Sequence, residues 1–353
     1  MTTDVRNPLD ASGMGALIEG APAQVLDAIR QPAWPAFERS PDLLAVGAMG
    51  GSAIAADLTA SLFRGELPRP MLVVRDYRLP PCVTASSLLL LASHSGNTEE
   101  TLALAGEARG RGVPFVGVTT GGRLGEVCDA AGATRRGLPT GAPPRAVLYA
   151  AWVAVTRLVG ALGWIADPVP AWREAAAAMD ARVAEWRRER AEAANPARQI
   201  ASALAGKLAF VYAEQRLEPL AVRWRQQLNE NAKLLAHSAV VPELNHNEVV
   251  GWEKSGIASG AAAVLLRDGL ESAPNETRLA LTAEFLRSQG VVVVEPPAPA
   301  GSLLARAVTV ALLGDFVSYY LAMSNGVDPT PIVSLDEFKR RLAERRASQV
   351  GGA

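Results

Sequence analysis

The sequence predicts an α/β fold made of two tandem doubly wound parallel-sheet sandwiches joined by a long helix. Three observations carry this expectation. Short apolar runs alternate with helix-forming segments, a strand-free stretch rich in Ala, Arg and Glu occupies Trp172–Ala194, and the same alternation resumes beyond it. The spacing between strands suits right-handed crossovers and therefore parallel pairing. A chain of 353 residues has room for two domains of ~100–200 residues each. The expected division is residues 1–165, a helical linker over 166–196, and residues 197–353.

Leu43–Val46 is an apolar run that ends in Gly47-Ala48-Met49-Gly50-Gly51-Ser52 and enters a helix over Ala53–Phe63, giving strand, glycine turn and helix. Met71–Val74 is the next strand. Leu88–Ala92 follows, then Ser93-His94-Ser95-Gly96-Asn97-Thr98 and a helix over Glu99–Arg109. Phe115–Val118 and Ala133–Leu138 are further strands. Pro143-Pro144 opens a helix over Arg145–Gly163, because proline is tolerated in a first turn. Asp167-Pro168-Val169-Pro170 breaks the pattern, Trp172–Ala194 reads as one amphipathic helix, and Asn195-Pro196 stops it. In the second half, Leu208–Ala213, Ala262–Leu266 and Val291–Glu295 read as strands. Pro219–Leu235, Asn275–Gln289 and Ser302–Asn325 read as helices, and Arg340–Ala353 as a frayed polar tail.

Composition narrows the function classes. With 49% hydrophobic and 20% charged residues and a net charge of −1, the chain offers no electrostatic attraction for nucleic acid or an anionic membrane. The apolar run Leu303–Ala322 is interrupted by Arg306 and Asp315, so it reads as a buried helix rather than a membrane span. Cys82 and Cys128 form no disulfide framework or metal-ligand spacing and are expected to be buried thiols in a reducing compartment. The polar Met1–Asp10 carries no secretory pattern, which points to the cytoplasm. Among 35 basic residues only Lys207, Lys233, Lys254 and Lys339 are lysines, and His94, His237 and His246 are the histidines. Each therefore stands out against an arginine-rich background.

Ser93-His94-Ser95-Gly96-Asn97-Thr98 follows a buried strand and opens a helix, where hydroxyls and unpaired backbone N–H groups converge on the positive end of the dipole. This reads as a phosphate cradle without lysine, with Ser93, Ser95 and Thr98 as neutral donors. Helix capping is the other reading. The turn at Gly47, Gly50, Gly51 and Ser52 is a second candidate, and Asp76 raises the question of a dinucleotide site. The Gly-x-x-Gly-Gly spacing does not match the dinucleotide fingerprint, which also leaves the second hydroxyl turn unexplained. Asn229-Glu230-Asn231-Ala232-Lys233 and Pro242-Glu243-Leu244-Asn245-His246-Asn247-Glu248-Val249-Val250-Gly251-Trp252 are too polar for an ordinary core. Glu230 near the end of one helix and His246 near the start of the next read either as facing one cleft or as capping and turn residues.

Taken together, these segments resemble the bifunctional phosphoglucose/phosphomannose isomerases, which are built from two sugar-isomerase (SIS) domains. The resemblance runs from about Leu43 to Leu342. It implies interconversion of glucose 6-phosphate or mannose 6-phosphate with fructose 6-phosphate through a cis-enediolate, with no metal and no cofactor. By the same resemblance Glu230 moves the C1/C2 proton, Arg145 stabilises the enediolate, and Lys339 assists ring opening. His246 also serves ring opening, reaching the site from the partner subunit of a homodimer with shared active sites. Gly51, Ser52, Ser93, Ser95 and Thr98 take the phosphate, and Thr330, in Asp328-Pro329-Thr330-Pro331, allows rotation about C2–C3.

The sequence departs from the family pattern at His94, where tyrosine is common, and at Leu234-Leu235-Ala236, where Val-Pro-Ala is common. The residues before Leu43 match nothing in it. His94 inside the cradle is expected to make substrate binding pH-sensitive. Two alternatives keep the fold: a non-catalytic sugar-phosphate-binding regulator, and an isomerase of another phosphosugar such as an amino-sugar phosphate. Arg145, Glu230, His246 and Lys339 together argue against a regulator, since binding alone needs only the hydroxyl turns.

Overall fold

A computed structural model of the chain describes residues 8–254 and 256–350, with side chains to residue 345. After α1 (Met14–Glu19) and α2 (Ala21–Arg30) come β1 (Leu44–Ala48), α3 (Gly50–Leu62), β2 (Met71–Val74), β3 (Leu88–Ala92), α4 (Glu99–Gly110), β4 (Phe115–Thr119), α5 (Gly122–Ala130) and β5 (Arg135–Gly137). The strands form one parallel sheet in the order β2-β1-β3-β4-β5. Next come α6 (Leu148–Ala161), α7 (Val169–Trp186) and α8 (Pro196–Leu204). They lead into β6 (Leu208–Glu214), α9 (Glu218–Glu230), β7 (Ala236–Val241), α10 (Glu248–Gly251), β8 (Ala261–Leu265), α11 (Ala273–Ser288) and β9 (Val292–Val294). This second sheet is also parallel, in the order β7-β6-β8-β9. α12 (Leu303–Ser324) and α13 (Val333–Val350) follow. The doubly wound α/β expectation therefore holds in both halves.

β1, β3 and β8 are buried at every residue, because helices cover both faces of each sheet. That is why they read as unbroken apolar runs rather than as alternating ones. The largest apolar cluster lies where α3, α6, α7, α8, α9 and α12 meet, and smaller clusters cover the other face of each sheet. α12 is buried from Leu304 to Ala322 except at Arg306, as its sequence predicted. Among the described residues it alone is long and apolar enough to cross a membrane, and 89% of its apolar window is inside the fold. Each fully buried Leu or Phe in such a helix contributes about 1.5–3 kcal/mol.

Several expectations are corrected. The linker helix stops at Trp186 rather than Ala194, because the Trp186 carbonyl is taken by the Asn195 amide at 2.9 Å and by the Tyr320 hydroxyl. Arg188 then folds back onto Glu19 of α1, with both guanidinium contacts at 3.0 Å. α9 ends at Glu230, five residues before the expected Leu235, and Ala236–Val241 forms β7, an edge strand the sequence reading missed. Its Ala-His-Ser start has no apolar run to announce it. Val333–Val350 is a helix, not a frayed tail; its charged surface is tied by Glu337 to Arg340 at 2.7 Å and to Arg341 at 2.5 Å, the spacing that supports a solvated helix. Residues 351–353 of that expected tail lie outside the described residues. Cys128 is buried as expected, but Cys82 is exposed.

Candidate active site

In the first sheet the strand order reverses between β1 and β3, and ligands of open α/β sheets bind at such a crevice. Ala48 and Ala92 are partners across that pair, so the turns that follow them lie side by side. Gly50 enters α3 with φ +50, a left-handed value that favours glycine, and carries Gly51 and Ser52 into the first turn. A Cβ on Gly51 would stand 3.6 Å from the Pro144 carbonyl oxygen and 3.8 Å from Arg145 Cα, so this turn lies directly against the Arg145 segment.

In the second turn Gly96 has φ +70, and a Cβ there would meet the Gly121 carbonyl oxygen at 1.8 Å. Only glycine fits. Ser93 Oγ and Thr98 Oγ1 are 2.7 Å apart, Gly96 N–H donates to Ser93 Oγ, and Asn97 N–H donates to Ser95 Oγ. Thr98 occupies the N-cap of α4 but makes no side-chain capping bond. Its hydroxyl faces Ser93 across the turn instead. His94 turns away: its Nε2 lies 3.0 Å from the Pro139 carbonyl and braces the loop after β5.

Arg145 sits in a 3₁₀ turn, Pro144–Val147, and is only 3% exposed. Its Nε donates to Asn231 Oδ1 at 2.7 Å, and one terminal nitrogen donates to the carbonyls of Pro329 and Thr330 at 2.6 and 2.7 Å. The other terminal nitrogen is left to face Glu230 Oε2 at 3.5 Å. Burial lowers the Arg145 pKa, and the Glu230 charge partly offsets that. Beneath it, the Arg145 carbonyl accepts from Arg223, which pairs at 2.8 Å with Asp315. Asp315 also accepts from Gln227 at 2.6 Å and from Tyr149 at 2.8 Å. This buried chain joins α6, α9 and α12, and losing one partner of such a pair typically costs about 3–5 kcal/mol.

Glu230, the last residue of α9, is partly exposed and opens onto a cavity of about 690 Å³ shared with Asn229, Lys233, Asp328 and Leu335. Thr330 accepts from Arg145 through its carbonyl, while its buried Oγ1 has no partner. Lys233 follows α9 with φ +54, a conformation costing a non-glycine residue about 1–3 kcal/mol. A larger groove of about 1020 Å³ runs between α3 and α9 and touches the cradle at Gly50; the reactive groups gather instead around Glu230.

The structure thus brings Gly51, Ser52, Arg145, Glu230 and Thr330 to one region, beside the turn of Ser93, Ser95 and Thr98. It does not bring in His246 or Lys339. β7 separates Glu230 from His246, so the expectation of two consecutive helices facing one cleft is corrected. His246 is exposed in a 3₁₀ turn, Glu243–His246, and its side chain makes no hydrogen bond or ion pair among the described residues. The rest of its segment anchors the turn: Glu248 pairs with His237 at 3.0 Å, Trp252 donates to the Tyr212 hydroxyl, and Phe210 and Trp252 pack with ring centroids 4.6 Å apart. Lys339 is exposed on α13, one helical turn beyond Leu335 at the cavity rim.

The equivalent crevice of the second sheet, between β6 and β8, is filled by the protein itself. Buried Glu214 and Asp268 project there, and Arg216 binds both, with contacts of 2.7 Å. Two carboxylates facing one arginine leave an excess of negative charge and no place for an anion. Asn231, Lys233, Arg223 and Asp315 were not assigned as site residues from the sequence. Asp315 breaking an apolar run and Lys233 in a lysine-poor chain were the available signals.

Known proteins share this fold and much of this sequence. Residues 193–342 match the family described as the bacterial phospho-glucose isomerase C-terminal SIS domain. A bifunctional phosphoglucose/phosphomannose isomerase of Caldicellulosiruptor bescii is 34% identical, over 86% of this chain and 90% of that protein. A protein of the same name from Aquifex aeolicus is 32% identical, over 83% of this chain and 88% of its own length. Among solved structures, a glucose-6-phosphate isomerase like protein from Thermus thermophilus superposes with a TM-score of 0.62, at 20% identity over 94% of this chain and 96% of that one, a likeness of fold.

Proposed function

Because this chain belongs to the bifunctional phosphoglucose/phosphomannose isomerase family, we propose that it interconverts glucose 6-phosphate and mannose 6-phosphate with fructose 6-phosphate at the Arg145–Glu230 site. The observation that carries this reading is the Arg145 terminal nitrogen held 3.5 Å from the Glu230 carboxylate, at the rim of a cavity and against the first glycine turn.

The phosphate occupies the hydroxyls of Ser52, Ser93, Ser95 and Thr98 and the N-terminal turns of α3 and α4. Once the ring is open, Glu230 removes the proton from C2 of the aldose, or from C1 of the ketose, and returns it to the neighbouring carbon, while a second proton passes between the C1 and C2 oxygens. The resulting enediolate carries negative charge, which the fixed Arg145 guanidinium stabilises without reorganising. Thr330, whose carbonyl accepts from Arg145, is assigned to the C2–C3 rotation that lets one base serve both C2 epimers.

Ring opening is assigned to His246 of a second copy and to Lys339, in a homodimer with shared sites. Three features support this. His246 is exposed on a firmly anchored turn, Lys339 stands one turn past the cavity, and apolar side chains at the cavity and on α13 are uncovered: Leu235 is 75% exposed, Val333 74% and Phe338 65%. The reading places the enzyme with its phosphorylated substrates in the cytoplasm. A coupled assay starting from fructose 6-phosphate, with glucose 6-phosphate and mannose 6-phosphate measured separately, tests it. Formation of both supports the reading, and no turnover by the wild-type protein overturns it.

A further inference from the structure

We propose that Lys233 is a positioning residue for this isomerisation: its ammonium ties the end of α9 to the Asp328–Thr330 segment and so fixes the Glu230 carboxylate opposite Arg145. The inference rests on the active-site reading above and adds a residue that reading does not use. Lys233 Nζ donates to the Glu230 carbonyl oxygen at 2.7 Å and stands 3.4 Å from the Pro329 carbonyl oxygen. That same Pro329 carbonyl accepts from Arg145 at 2.6 Å. Two cations, one from each half of the chain, thus converge on a single backbone oxygen, and the residue carrying the proposed base lies between them.

The backbone supports the assignment. Lys233 is the one non-glycine residue with positive φ among the described residues. At a helix C-terminus that conformation is ordinarily given to glycine, sometimes asparagine, because a Cβ is unfavourable there. A lysine in that place, in a chain with four lysines among 35 basic residues, brings an ammonium that glycine lacks. The ammonium also meets the last carbonyl of α9, where a cation is favoured by the helix dipole. Burial, then the Arg145 charge, depress its pKa, so the fold holds it there against an electrostatic cost.

A residue that only shaped the turn would be replaced without loss by glycine. Lys233→Gly keeps the left-handed conformation, relieves its strain and removes the ammonium. Expected are an unfolding midpoint no lower than that of the wild type, a fall in kcat for fructose 6-phosphate of at least tenfold, and KM within threefold, because the phosphate cradle is untouched. Lys233→Asn tolerates the same conformation with less backbone freedom and gives the same split. Wild-type kcat in either folded variant, or a loss confined to KM, overturns the proposal. Wild-type turnover is measured first, so failure of the isomerase reading is distinguished from failure of this one.

Discussion

Arg145 and Glu230 meet at 3.5 Å although they lie in different halves of the chain, and the contact is one-sided: the arginine is buried and the carboxylate is partly exposed. Asn231, Pro329 and Thr330 fix the arginine, so the carboxylate is the member that opens to substrate. In the proposed reaction the cation is therefore preorganised for charge that appears only as the enediolate forms, which is the condition under which such a group lowers the barrier rather than merely binding substrate.

Replacing Arg145 by lysine keeps the charge but cannot reproduce three directed bonds from one planar group. Arg145→Lys is expected to lower kcat by about 10²–10³, the usual cost of losing a preorganised donor to a developing oxyanion, with a smaller change in KM. Steady-state kinetics with fructose 6-phosphate check this.

The cradle variants should show the opposite split. Ser93→Ala and Thr98→Ala each remove a donor proposed to bind the phosphate, a bond to a charged group worth about 1.5–3 kcal/mol, so KM rises roughly 10–150-fold while kcat changes less. If kcat fell at unchanged KM, these hydroxyls would be acting on the chemistry rather than on binding.

Burial holds Tyr149, Tyr212, Tyr319 and Tyr320 protonated above the ordinary tyrosine value of 10.0, with the Asp315 charge adding to the effect at Tyr149 and the Glu248 charge at Tyr212. Their pKa values are raised in the folded state. Stability from these groups is fully present below pH 10 and falls as pH rises beyond it, because the unfolded chain releases protons there that the folded chain retains. Denaturant unfolding followed between pH 8 and 11 should show a declining midpoint above pH 10, with tyrosinate absorbance rising together with unfolding.

If His246 acts from the partner subunit, mixing Glu230→Gln and His246→Ala chains and allowing exchange gives heterodimers with one complete site. Recovery to about a quarter of wild-type activity is then expected for random pairing of two kinds of chain in a C₂ dimer. Background activity despite confirmed exchange would place His246 in its own subunit's site.

The sequence makes the buried strands legible because parallel strands covered on both faces leave unbroken apolar runs, as Leu88–Ala92 does. β7 lacks that signal: it is an edge strand whose sequence mixes Ala, His and Ser. α13 escapes for another reason, since much of its sequence is charged and its ion pairs, such as Glu337–Arg340, form only once the helix is in place. Within the site, the residue types of Arg145 and Glu230 are visible, but their supports are not. Asn231 and Pro329 lie 86 and 184 positions from Arg145, and the role of Lys233 depends on a φ angle and two carbonyls that no local pattern records.

The central claim is that Glu230 is the base beside a fixed cation. Glu230→Gln preserves shape and removes the proton acceptor. Measured together, kcat from fructose 6-phosphate and the dissociation constant for the same sugar phosphate by calorimetry should separate: kcat falls by at least about 10³, within the range by which acid–base groups assist proton transfer, while the dissociation constant stays within threefold. Near wild-type turnover in Glu230→Gln would contradict the account.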